Sequence, residues 1–164
     1  MVVLGIDPGI AITGYGLVRE REDGDIEAVA YGVITTPAGE EVARRLQQIY
    51  RDVRALVEEY QPSSAAIEKL LFGRNVTTAM NVGQARGVTM LALADCGLAI
   101  AEYTPASIKQ AVAGYGNAPK MQVQEMVRLL LNLDEIPRPD DAADALAVGI
   151  THLHTARYQQ LFEE

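Results

Sequence analysis

Four carboxylates in this chain stand where ordinary packing gives them little purpose. Asp7 closes the apolar run Val2-Val3-Leu4-Gly5-Ile6 and is followed at once by Pro8-Gly9. Glu68 closes a second short run, Ser64-Ala65-Ala66-Ile67. Asp141 and Asp144 open the stretch DDAADALAVGI, and a spacing of three places both on one helix face about one turn from its start. Two bare carboxylates about 4 Å apart repel by roughly 4 kcal/mol at an effective dielectric near 20, so gathering four requires a counter-ion. Four negative charges match two divalent cations, and hard oxygen donors suit Mg²⁺, with Mn²⁺ as a substitute. Two such ions can clamp the attacking and leaving oxygens of an in-line phosphoryl displacement and supply a hydroxide-like nucleophile. Plainer roles stand beside this one. Asp7 before Pro-Gly can cap its own turn, Asp141 can favour the helix dipole, and Glu68 can be a satisfied edge acid. Asp140 reads as the N-cap of the last helix.

The elements that must position these acids follow from the apolar pattern. Val2 to Asp7 reads as a strand buried on both faces and ending in a tight turn. Ile12 to Arg19 and Ile26 to Thr35 read as two further strands, making an antiparallel meander with the first. Val42, Leu46, Ile49, Val53, Leu56, Val57 and Tyr60 recur at helical spacing, and Pro62 ends that helix. Ser64 to Glu68 is a fourth strand. Asn75 caps a helix to about Asp95, and Leu98 to Tyr103 is a fifth strand. Thr104-Pro105 opens a short helix to about Val112, Pro119 opens another to about Leu131, and the last runs from Asp140 to about His154. The order predicts an α/β fold whose five-stranded mixed sheet joins the meander of strands 1–3 to parallel strands 4 and 5. Residues 1–157 read as one domain and 158–164 as a short tail.

At 164 residues, with 49% hydrophobic and 22% charged content, the composition is that of a globular protein able to bury its own core. The single cysteine, Cys96, cannot form an intrachain disulfide, which fits a cytoplasmic setting. No apolar run approaches the roughly 20 residues needed to span a bilayer, and no signal-peptide pattern opens the chain. A net charge of −8 argues against a polyanionic partner, but its distribution does not. From Lys69 to Arg128 there are six basic and three acidic residues, a local excess of +3 that leaves −11 elsewhere. A modest basic face of this kind can hold a phosphate backbone.

Several stretches together resemble one family. They are IDPGIAITGYG at the start, AIEKLLFGRN around Glu68, NVGQARGV, IKQAVAGYGNAPKMQVQEMV, and finally DDAADALAVGITH. In combination, and over nearly the whole chain, they resemble the RuvC family of Holliday-junction endonucleases, which has a ribonuclease H-like fold. The resemblance implies that Asp7, Glu68, Asp141 and Asp144 are the catalytic, metal-binding acids, with two Mg²⁺ per subunit. It implies that Lys109 and Lys120 meet DNA near the scissile phosphate. Family members usually carry an aromatic residue three positions after the catalytic glutamate, where this chain has Leu71. The adjacent Phe72 is therefore the candidate for stacking on a base, a contact worth roughly 1–3 kcal/mol. Arg74 and Arg86 are further phosphate candidates. The implied activity is a pair of symmetric nicks in a four-way DNA junction during recombination and repair, each leaving a 5′-phosphate and a 3′-hydroxyl. The implied partners are a second copy of the chain, across the helix from Asn75 to Asp95, and the branch-migration proteins RuvA and RuvB.

Two other readings remain at this point. An actin-like ATPase or sugar kinase also begins with Asp-x-Gly and a following Thr-Gly, but it needs two such domains and a second glycine-rich phosphate loop. A non-catalytic junction-binding module would hold DNA without nicking it. His152 and His154 are expected in the last turns of the final helix, favourable for its dipole and without a further role.

Overall fold

The computed structural model describes residues 1–69 and 75–163. Its central sheet contains β1 (Val2–Asp7), β2 (Ile12–Glu20), β3 (Ile26–Thr35), β4 (Ser64–Glu68) and β5 (Ala99–Tyr103). The helices are α1 (Val42–Tyr60), α2 (Val76–Asp95), α3 (Pro105–Ala113), α4 (Lys120–Leu130) and α5 (Asp140–Glu163). Strand order is β3-β2-β1-β4-β5, with β1–β2 and β2–β3 antiparallel and β1–β4 and β4–β5 parallel. This is the mixed sheet that the element order predicts.

Alternation along the strands divides the core in two. Val3, Val18 and Ala66 face α3, α4 and α5, whereas Leu4, Ile6, Leu17, Ala65 and Ile67 face α1 and α2. The same alternation turns the last residues of β1 and β4 toward α5. Ile6 lies opposite Ile67, and one step further brings Asp7 and Glu68 to the carboxyl end of adjacent parallel strands. That end is where open α/β sheets place their ligands.

The approach of α5 is what joins the two halves of the acid set. A methyl group built on Gly14 of β2 would stand 2.0 Å from the Asp141 carbonyl oxygen. One on Gly5 would stand 2.3 Å from the Ala145 carbonyl oxygen, and one on Gly16 would run into the Leu146 side chain at 2.7 Å. Glycine at these positions lets helix backbone rest directly on β1 and β2. Residues Ala142, Ala143 and Ala145–Leu153 of α5 are buried as a result.

Capping follows the sequence at two helices. The Thr78 amide donates to Asn75 Oδ1 at 3.2 Å, and the Ser107 amide to Thr104 Oγ1 at 3.1 Å. Asp140 departs from its expected role: it is already the first residue of α5, and its carboxylate instead meets Lys120. The last helix also runs on to Glu163 rather than stopping near His154, so residues 158–163 continue it. An ion pair from Arg157 to Glu20, at 3.1 Å, ties this extension back to β2.

Candidate active site

Asp7 leaves β1 as the chain enters the Pro8-Gly9 turn. That turn is clasped by Thr13, whose hydroxyl donates to the Gly9 carbonyl at 2.6 Å and accepts from the Gly9 amide at 3.3 Å. Thr13 thus does the capping work that a turn-capping Asp7 would have done, and the Asp7 carboxylate is left to face its acidic neighbours. Its pKa is pushed up to about 7 from the ordinary 3.8, first by burial and then by the charges of Asp144, Glu68 and Asp141, against a lowering by Lys120. Burial and the Asp144 charge raise Glu68 too, while Lys109 pulls it down. Asp144 is raised by burial, with Lys120 opposing and Asp141 and Asp140 adding to the rise. Acids distant in sequence are therefore within electrostatic reach of one another.

Lys120 answers this field. As the first residue of α4 it brings its ammonium to 3.3 Å from Asp140 Oδ2 and 3.8 Å from Asp144 Oδ2. Asp144 is the largest influence holding it protonated. Glu68, Lys109, Lys120 and Asp144 line one cleft of about 230 Å³, between the sheet edge, α3, α4 and α5. Asp7 and Glu68 also line a second cleft of about 210 Å³ with Lys69 and Arg86, on the α2 side. The sequence singles out Arg86 only as a minor phosphate candidate and passes over Lys69.

Among the described residues, no three acidic, histidine or cysteine side chains are already closed on a single point. The donor set still suits hard divalent cations: Asp7, Glu68 and Asp144 are each raised by burial and by neighbouring acids, and an ammonium ion stands beside Asp140 and Asp144. Lys120 acts there as a stand-in cation. Phe72 and Arg74 lie outside the described residues.

The histidines depart from expectation. His152 is buried, with Nε2 2.8 Å from the Ser64 hydroxyl and Nδ1 2.8 Å from the Tyr103 hydroxyl. A neutral imidazole donates through one nitrogen and accepts through the other, and burial lowers its pKa accordingly. It pins α5 to β4 and β5. Its position, two turns beyond Asp144, keeps it away from the acids.

No described helix is long and apolar enough to cross a membrane. The family model for crossover junction endodeoxyribonuclease RuvC matches residues 3–152. A protein of that name from Chloroflexus aggregans is 56% identical over 162 residues, covering 99% of this chain and 98% of the relative. One from Moorella thermoacetica is also 56% identical, covering 100% and 98%. The solved structure of Thermus thermophilus RuvC in complex with a Holliday junction superposes with a TM-score of 0.91 at 37% identity, covering 97% of this chain and 96% of that one. The yeast mitochondrial Holliday junction resolvase, 14% identical with a TM-score of 0.68, shares the fold. An actin-like kinase is excluded by a match of this extent. The sheet order, the carboxylates at its edge and the full-length similarity lead to one conclusion: this chain belongs to the RuvC family of crossover junction endodeoxyribonucleases.

Proposed function

We propose that this protein is a divalent-cation-dependent endonuclease that resolves four-way DNA junctions by paired, symmetric nicks. The observation that carries the reading is the shared field of Asp7, Glu68, Asp141 and Asp144, flanked by Lys109 and Lys120. In this reading the four acids hold the cations and the two lysines receive phosphate oxygens. Mg²⁺ or Mn²⁺, when bound, supplies the charge that activates water and stabilises the departing oxyanion of the phosphodiester. The residues' own contributions are distinct. Burial and the neighbouring acids push the Asp7 carboxyl up to about 7, so the fraction still protonated near neutral pH must release its proton to serve as a ligand. Lys120 neutralises Asp144 until a phosphate competes for the ammonium. Lys109 opposes the rise that burial and Asp144 impose on Glu68.

Two nicks related by symmetry require two such sites about a two-fold axis, hence a homodimer. Support for α2 as the contact comes from Gly83 and Gly87, where an added methyl group would meet nothing within 4 Å. Met80 and Leu91 of α2 are exposed, and an apolar cleft of about 510 Å³ runs between α1 and α2 beside Tyr50 and Val88. Phe72 at the junction centre, Arg74 on phosphate, RuvA and RuvB as partners, and a cytoplasmic setting complete the reading. The test is a synthetic four-way junction incubated with Mg²⁺. Paired nicks with ligatable 5′-phosphates are expected from the parent and none from Asp7→Asn. A junction cut equally by both proteins rejects the assigned centre, and one bound but cut by neither identifies a binding module.

A further inference from the structure

We propose that the cleft bounded by Lys69 and Arg86 is a second phosphate subsite, taking a phosphodiester of the cleaved strand across Glu68 from the Lys109–Lys120 cleft. The inference rests on the nuclease reading and extends it to the path of the strand. The two clefts share Glu68 and Pro105, and each carries two cationic side chains. Beyond those two residues the linings differ, one taking residues of α3, α4 and α5 and the other Val82 and Arg86 of α2. A strand cut within its length carries one neighbouring phosphate on each side of the scissile group. The clefts place cations at two positions, with the acids between them being those assigned to the metal ions in the nuclease reading.

Arg86 is the more informative of the pair. Its side chain is only 18% exposed, and it is ion-paired through Nη2 to Glu102 on β5. Nη1 lies 3.2 Å from the Met90 sulfur, and the buried Nε has no partner among the described residues. Glu102 therefore fixes the planar guanidinium in place without using all five of its donors, and a fork held this way is organised for a phosphate. Lys69 supplies a second, exposed charge just past the end of β4. Its own backbone is fixed there, because the Lys69 amide donates to the Tyr103 carbonyl at 2.6 Å.

A methylphosphonate scan tests the subsite. Single neutral linkages are placed at successive positions around the cut, and junction binding is measured with Ca²⁺ replacing Mg²⁺ to slow the chemistry. In the parent, one linkage on each side of the scissile phosphate should weaken binding about tenfold. Lys69→Ala should weaken binding of the unmodified junction about tenfold and make one of those two linkages silent. The slope of log K against log salt should fall by about 1. Lys109→Ala should silence the linkage on the other side. Arg86→Lys, which keeps the charge but loses the fork, should give a partial version of the Lys69 pattern. Exposed Lys69 carries the test even if Arg86 variants fold poorly. Losses that simply add at every linkage, or Lys69 and Lys109 coupling to the same phosphate, overturn the subsite. If the junction is still nicked in Mg²⁺ by the parent and not by Asp7→Asn, the nuclease reading survives that result.

Discussion

Replacing Asp7 by Asn should stabilise the protein when divalent cations are withheld. The Asp7 carboxyl is held near pH 7 in the fold and near 3.8 in an unfolded chain, so the unfolded state gives up this proton first as pH rises. A group raised in this way adds stability that is complete below its unfolded value and is lost as pH climbs through its folded value. At about 1.36 kcal/mol per pH unit, the interval from 3.8 to about 7 sets a ceiling of about 4 kcal/mol. Asn keeps the shape and carries no charge to lose. In EDTA, Asp7→Asn and the parent should therefore have nearly equal stability at pH 4. They should diverge progressively toward pH 7 and differ by up to about 4 kcal/mol at pH 8. For a chain of this size that corresponds to a rise in Tm of roughly 8–16 °C at most. Denaturant titrations across pH, repeated with Mg²⁺, measure both parts. Added Mg²⁺ should close the gap by stabilising the parent alone. A variant that is less stable than the parent at pH 8 in EDTA, or a gap that does not change with pH, refutes the account of Asp7 as a strained, cation-seeking acid.

Other substitutions probe the frame. Gly14→Ala places a methyl group 2.0 Å from the Asp141 carbonyl oxygen, so α5 must lift from β2. A loss of about 1–3 kcal/mol in denaturant titrations is expected, with a steeper loss of nicking because Asp141 and Asp144 move with the helix. His152→Leu removes the bonds to Ser64 and Tyr103 and should cost about 1–3 kcal/mol at pH 7.5 while leaving nicking intact. His152 is depressed in the fold, so its contribution is present above about pH 6.5 and fades as pH falls; the gap between His152→Leu and the parent should narrow by pH 5.

The sheet was legible because its strands are apolar runs of strand length stopped by turn residues, as at Ile6-Asp7-Pro8-Gly9. Asn75 and Thr104 announced their helices through local chemistry, a side-chain oxygen three residues before the amide it caps. The four acids stood out by position, Asp7 and Glu68 as charges ending apolar runs and Asp141 and Asp144 near the start of the last helix, and the resemblance is what implies metal ligation for them. What escaped depends on partners far away in the chain. Nothing near Asp140 says that Lys120 will reach it, and nothing near His152 says that Ser64 and Tyr103 will enclose it. The end of α5 was missed because its last turns are exposed, so the buried stripe that reveals a helix fades after Leu153. Arg86 acquires its setting only when α2 packs beside β5 and brings Glu102 to it.

The backbone-on-backbone seating of α5 against Gly5 and Gly14 has a consequence for synthesis. Asp7 leaves a ribosome long before Asp144 does, yet the proposed centre needs both on one surface. A nascent chain can pair its strands early and still present half of a cation cage. In the proposed reading, hydrolytic competence arrives only once α5 has seated on β1 and β2.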